Sequence, residues 1–534
     1  MTDRILLIGL DGGTFATLEP LMKEGIMPFL KEFVTAGVRA TLCSVIPPLT
    51  PPGWASLVTG RTPGHHGVMD FFRFESPDTH YIRLVDSRDV KSETIWSILS
   101  RQGLRATALN FPLMTPPRPL AGNAVPGWSP WRYLPRLCFP RDLYDKIKTV
   151  PGFKVQELAM DLKLEGKAIE GSDKEEYEEW IRFHIRRERQ WFEILRYLMR
   201  EDPCDLTAVL FDGVDKLQHL LWRFIDPTYT PSHPSVWEQR IRALCLDYFR
   251  QLDGLIAEAV ALAGPQASVF LASDHGFGPS TEVFYLNAWL HQHGYLTWSA
   301  DAPEDTSETG RLGLGRISQT PSMIDWRRTT AYGLTPSSNG VHIAVAGRRG
   351  HQGIDPKAYE AFRARLKDQL CQFTDPATGE RVVPQVLTPE EAFPGDQMGR
   401  APDLTLSIRD GGFVSILKSD VVLKLRPEVV GTHRPEGIFM AKGPRIRPGL
   451  VLPPLSITDV APTLLYSLGL AVPQDLEGRV VEQIFEPASL RERPIRVGDP
   501  THTPVAFPDG TDYKEEDEGE AQVLERLKNL GYVE

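Results

Sequence analysis

A chain of 534 residues with 41% apolar content can bury a substantial core, and it is too long for one ordinary core yet short of four typical domains. Its net charge of -11 excludes the basic surface of a nonspecific nucleic-acid binder, while leaving room for a small anion drawn in by a local cation. The five cysteines, Cys43, Cys138, Cys204, Cys245 and Cys371, are scattered and form no CxxC pair, which argues against a disulfide framework and for a reducing compartment.

Residues 4–11, RILLIGLD, read as a buried parallel strand that ends in a polar residue and two glycines. Helical spacing follows over about 17–36. Similar apolar runs recur at 105–111, 206–212, 268–274 and 437–443, with helical stretches between several of them. That alternation predicts an α/β fold with a doubly wound, mainly parallel sheet flanked by helices. Ligands bind beyond the carboxyl ends of such strands, where Asp11, Asp212 and Asp274 fall. An amphipathic helix is predicted over 173–200, with Arg182, Arg186, Arg187 and Arg189 on its solvated face. A catalytic domain over 1–490 is expected to carry cap segments at about 112–200 and 279–400, and 491–534 reads as a Pro-rich, then acidic tail with a short helical pattern from Val523 to Leu530. The opening apolar run is too short for a signal peptide, and no stretch of eighteen apolar residues is present, so the expectation is a cytoplasmic protein without a membrane span.

Four segments carry candidate chemistry. Asp11, at a strand end before Gly12-Gly13, can project a carboxylate into a crevice, although loop capping is its commoner use. Thr50, before Pro51-Pro52, sits at a predicted helix N-terminus, where backbone N–H groups stabilise an anion, and an N-cap is the plainer reading. Asp215 and His219 are four apart, which places both on one helix face as a metal pair or as a surface pair. Asp274-His275 directly follows a strand and can turn both side chains toward one metal, and His433 precedes another strand.

The order Asp, Thr, Asp-x-x-x-His, Asp-His-Gly, His resembles the alkaline phosphatase superfamily. Within it, the match is to the type I phosphodiesterase/nucleotide pyrophosphatase family. The stretch TPPGWASLVTGRTPGHHGV looks like that family's nucleophile segment, and IDWRRTTAYG (324–333), NGVHIAVAGR (339–348) and SITDVAPTLLYSLGL (456–470) also look like bacterial members. The resemblance implies an alkaline phosphatase-like core with two divalent metal ions, zinc in first place with manganese or iron as alternatives. It implies that Asp11, Asp274 and His275 hold one ion, with Thr50 reaching toward it, and that Asp215, His219 and His433 hold the other. Thr50 would then attack phosphorus, and water would release the phosphothreonine, with retention over two in-line steps. The implied substrate is a small phosphodiester or nucleotide pyrophosphate, possible nucleotides included, and no nucleic-acid polymer is expected. A phosphomonoesterase or phosphonate hydrolase on the same site is the alternative, and a noncatalytic binding protein of the same fold a remote one. Where the family commonly has an asparagine three residues after the nucleophile, this chain has Gly53. Gly53, Trp54 and Asn110 are therefore candidate substrate contacts, Asn110 in place of that asparagine and Trp54, like Trp128, by stacking. His66 is expected to be structural, and Cys43 lacks the sulfatase pattern.

Overall fold

In the computed structural model, the residues described are 4–507 apart from 77–78, 130, 159–175, 230, 306–316, 318–319 and 350. The expected helical pattern at 523–530 lies outside them. The centre of the molecule is one sheet, in the order Leu450–Val451, Val38–Cys43, Glu436–Lys442, Ser268–Ala272, Ile5–Leu10, Leu206–Phe211, Ala106–Leu109, Gly122–Val125. Leu455–Ser456 also pairs with Val38–Cys43. Every pairing is parallel except those of Glu436–Lys442, which runs against both its neighbours.

The strand Ile5–Leu10 shows why these runs are mainly apolar. All six of its residues are buried. Leu6, Ile8 and Leu10 enter one core and Ile5 and Leu7 another, so the period-two alternation of a strand feeds two apolar faces, each covered by helices. Leu206–Phe211 divides the same way, with Val209 and Phe211 on one face and Leu206, Ala208 and Leu210 on the other.

Two elements differ from the sequence expectations. The pattern over 17–36 is two helices, Phe15–Lys23 and Pro28–Ala36, because Gly25 turns with φ 75° and Pro28 opens a new helix. The stretch 112–200 does not stand apart as a cap in its described part. Gly122–Val125 is an edge strand of the central sheet, and the helix Tyr177–Glu201 packs into the core on one of its faces.

A separate core gathers residues between Val283 and Leu417, around an antiparallel sheet of Ala331–Tyr332, Gly340–Ile343, Leu404–Ser407 and Gln385–Leu387. The chain reaches it along Gly276–Phe284 and returns along Leu423–Arg434, and these two strands pair as an antiparallel ribbon. No helix of the described residues is long and apolar enough to cross a membrane.

Candidate active site

The predicted side chains meet at the carboxyl ends of the central strands. Asp11 is the residue after Ile5–Leu10, and its backbone N–H bonds Phe211 O at 3.0 Å. Gly12 turns with φ +64°, which aims its N–H at Asp274 Oδ1 at 3.1 Å. A Cβ at this glycine would stand 2.9 Å from the Phe277 ring, so close approach and backbone angle both require glycine. Asp215 and His219 lie one turn apart on the helix Gly213–Ile225. His433 pairs with Phe277 across the ribbon, which places it beside His275 with the two rings stacked at 3.7 Å.

Thr50 is the first residue of the helix Thr50–Thr59, and Leu49 occupies the cap position. The threonine side chain has no capping role, and its Oγ1 lies 3.2 Å from His275 Nε2. The expected array of free backbone N–H groups is not present: Pro51 and Pro52 have none, and Gly53 N–H bonds Leu49 O at 2.8 Å.

The imidazoles are set by their backbone partners. His275 Nδ1 lies 3.0 Å from Gly276 O and His433 Nδ1 lies 2.9 Å from Pro48 O. A carbonyl oxygen only accepts, so each Nδ1 carries the proton and each Nε2 presents a lone pair to the site. These lone pairs face other acceptors. His275 Nε2 is 3.2 Å from Asp274 Oδ2 and 3.6 Å from Asp11 Oδ1, and His433 Nε2 is 3.2 Å from Asp215 Oδ1 and 3.0 Å from His219 Nε2. Asp11 Oδ1, Asp215 Oδ1 and Asp274 Oδ2 are buried without a hydrogen-bond partner. Acceptor facing acceptor among buried groups is unfavourable until a cation stands between them, so the donor set fits metal ions. The carboxylates carry the same message. Burial, with Asp274 and Asp215 nearby, pushes Asp11 well above the usual carboxylate range, and burial does the same to Asp274. Burial also works to raise Asp215, but His219 and Lys216 outweigh it and hold that group well below the range. Burial and the adjacent His433 keep His275 neutral.

Among the described residues, two clusters are able to hold an ion: Asp11, Asp274 and His275, and Asp215, His275 and His433. His275 thus stands in both, whereas the resemblance gave it to one alone. His219 is 3.5 Å from Asp215 Oδ1, at the rim of the second cluster.

A cavity of about 280 Å³ opens over Thr50, Asp215, His219 and His433, and Phe71, Phe72, Leu113, Trp128 and Phe413 supply apolar wall. Trp128 stacks on Phe71, and Lys216 Nζ reaches from beside Asp215 to 5.6 Å from the Trp128 ring. The three candidate substrate contacts are elsewhere. Gly53 lies against Asp274, where a Cβ would approach Asp274 O to 2.8 Å, so no asparagine fits there. Trp54 is 1% exposed in the core, and its indole N–H reaches Asp11 Oδ2 at 3.4 Å, so it steadies a carboxylate and cannot stack on substrate. Asn110 is fully buried, with its amide donating to Leu210 O at 2.9 Å. His66 bonds Ser56 Oγ at 2.8 Å and accepts from Val68 N at 3.2 Å, away from the site.

Sequence reasoning missed what lies behind Asp215. Arg187, placed on the solvated face of its helix, is buried and donates to buried Asp212 at 2.9 Å. Its neighbour Glu188 accepts from Gly213 N at 2.7 Å and from Tyr248 OH at 2.9 Å. These groups fix the start of the helix that carries Asp215 and His219. The signal was present: Trp180, His184, Arg187, Trp191, Ile194 and Leu198 recur every three or four residues along one buried stripe.

Residues 5–435 match the family model for type I phosphodiesterase/nucleotide pyrophosphatase. Murine ectonucleotide pyrophosphatase/phosphodiesterase 5 superposes with a TM-score of 0.53 at 15% identity, over 91% of this chain and 100% of that one. Phosphonoacetate hydrolase from Sinorhizobium meliloti 1021, solved with phosphonoacetate, gives 0.50 at 16% identity, over 88% of this chain and 95% of that one. At such identities the solved structures speak for the fold, and the family rests on the match that runs through Asp11, Thr50, Asp215, Asp274 and His433. The chain belongs to the type I phosphodiesterase/nucleotide pyrophosphatase family and is a phosphoric ester hydrolase.

Proposed function

We propose that the chain cleaves a phosphodiester or nucleotide pyrophosphate bond through a phosphothreonine at Thr50. The observation that carries this reading is that Thr50 Oγ1 lies 3.2 Å from the unprotonated Nε2 of His275, which itself faces the partnerless oxygens Asp11 Oδ1 and Asp274 Oδ2. Asp11, Asp274 and His275 would hold one divalent ion and Asp215, His219 and His433 the other. Asp and His donors without thiolate suit zinc, and also manganese or iron. When bound, such a pair supplies Lewis-acid stabilisation of the negative charge on the attacking and phosphoryl oxygens.

The protein's own groups supply position. Leu49 caps the helix, which leaves the Thr50 hydroxyl free to face the cavity floor. The Thr50 oxygen forms a bond to phosphorus as the bond to the leaving oxygen breaks, its hydroxyl proton passes to solvent, and the departing alkoxide takes one up. Water then adds to phosphorus, the bond to Thr50 breaks and the hydroxyl is restored. Trp128, Phe71 and Phe72 offer an apolar surface to an ester group and exclude water from it, which favours a diester over a monoester. Lys216 is the observation on the other side: a cation on the cavity wall suits the extra charge of a monoester or phosphonate. The murine relative has been solved as an inactive variant with AMP, which accords with a nucleotide-sized ligand. All five cysteines are free, in keeping with the cytoplasm.

The test is hydrolysis of p-nitrophenyl monoester and diester substrates by the metal-loaded protein beside Thr50→Ala. A diester preference lost in the variant supports the reading. A Thr50-dependent monoester preference overturns the substrate class, and undiminished turnover in the variant overturns the nucleophile.

A further inference from the structure

A second cavity, of about 680 Å³, lies between the strand Phe72–Phe74 and the antiparallel sheet of the separate core. Five arginines line it: Arg73, Arg348, Arg349, Arg363 and Arg400. Four carboxylates do as well, and each already has partners. Asp70 accepts from Thr335 Oγ1 at 2.7 Å and Ser337 Oγ at 2.5 Å, and Asp403 from Tyr359 OH at 2.5 Å and Ile343 N at 2.6 Å. Glu360 and Glu390 are both taken by Arg363, at 2.8 Å and 3.0 Å. Arg73 pairs with Asp89. No described carboxylate forms an ion pair with Arg348, Arg349 or Arg400.

An independent feature of the same wall points to a ligand. His351 is 5% exposed, and both of its ring nitrogens lack a hydrogen-bond partner. Beside it, Arg349 lies over the Phe74 ring at 3.6 Å, and its Nε is likewise buried without a partner. Burial, with His80 and Arg349 nearby, brings His351 down to about 4, so at neutral pH the ring is uncharged and has one N–H to give. Burial also pushes Asp70 and Asp403 upward, which weakens the opposing charge. Unmatched cations together with unmatched buried donors describe a place for an anion. The cavity is also a neighbour of the one over Thr50. Phe72 and Val85 line both, and the bond between Asp70 and Ser337 ties their walls together.

We propose that this cavity is a second binding site, for a phosphate- or carboxylate-class anion held by Arg348, Arg349, Arg400 and His351. Two sources share that chemistry: the charged far end of an ester whose phosphorus lies over Thr50, or a free anion. The first source rests on the hydrolase reading above, and the second does not.

Inorganic phosphate titrated calorimetrically into the metal-loaded protein tests the site. The expected result is two phosphates per chain, of which Arg348→Gln/Arg400→Gln weakens one at least tenfold while chelation of the metals removes only the other. Both arginines are exposed, so this variant keeps its fold, and Arg349→Gln adds the buried contact. A single phosphate that chelation abolishes, or wild-type titrations in both variants, overturns the proposal. The source is read from two p-nitrophenyl diesters that differ only by a terminal phosphate on the second alcohol. A KM raised tenfold in the variant for the phosphorylated ester alone assigns the site to the substrate. An unchanged KM with the phosphate site lost assigns it to a free anion. If the wild-type protein turns over neither ester, the hydrolase reading fails while the phosphate titration still decides the site.

Discussion

Replacing Arg187 by methionine removes the guanidinium and keeps most of the aliphatic volume. Arg187 and Asp212 are both fully buried, with 2.9 Å between Nη2 and Oδ2. The variant would leave the Asp212 carboxylate uncompensated beside Glu188, which burial and Asp212 already push up to about 8. Breaking a buried pair from one side costs about 3–5 kcal/mol, several times the cost for an exposed pair. For a chain of 534 residues that corresponds to a thermal midpoint lower by roughly 3–5 °C. The damage should also be local, because Asp212 is the residue from which the helix bearing Asp215 and His219 starts. Metal content after dialysis should therefore fall together with the midpoint. Scanning calorimetry and metal analysis on Arg187→Met and on Arg187→Met/Asp212→Asn read both effects. The double variant should recover much of the loss, since it removes the stranded charge. A midpoint within ~1 °C of wild type for Arg187→Met would show that the pair is worth no more than a surface contact, and would refute the argument.

Gly53→Asn, which restores the family's commoner residue, should destabilise the protein by about 1–3 kcal/mol and lower activity, because the new Cβ meets Asp274 O at 2.8 Å; a stable and more active variant would show that the contact relaxes. His66 is held down to about 3 by burial and by His65 and Arg61, whereas its unfolded value is 6.5. Between those values the unfolded chain binds a proton that the folded chain does not, so stability is lost as pH falls from about 6.5 toward 3. Unfolding midpoints measured across that window should decline less steeply in His66→Gln. Chelation should lower the thermal midpoint, and because Asp11 and Asp274 lean toward the protonated state without metal, reloading should release protons and weaken as pH falls. Calorimetry in two buffers of different ionisation heat measures that release, and proton-neutral binding would contradict the shifts.

That these acidic and histidine side chains gather at one place was legible in the sequence because chemistry and position coincide there. An aspartate at the end of a mainly apolar run, as Asp11 and Asp274 are, marks a strand boundary and places a carboxylate at the sheet's mouth. The i, i+4 spacing of Asp215 and His219 needed only a helix to become a geometry. The surroundings of Gly53, Trp54 and Asn110 were not legible, because they depend on packing between segments remote in the chain. Every residue of Thr50–Thr59 is buried, so periodicity could not tell that Trp54 faces the core and Gly53 faces Asp274. Arg187 was misplaced because charge was weighed above its place in a buried stripe.

The cavity over Thr50 takes its walls from both halves of the molecule, with Thr50, Asp215 and Lys216 from the central layer and Ser337, Phe413 and Val414 from the separate core. Any ligand that fills it touches both, so its binding free energy also works against their coming apart. Substrate thereby acts as a clasp between the two layers for as long as it stays whole. Cutting it into two smaller pieces divides that clasp, and release of the pieces returns the two layers to the contacts they make alone.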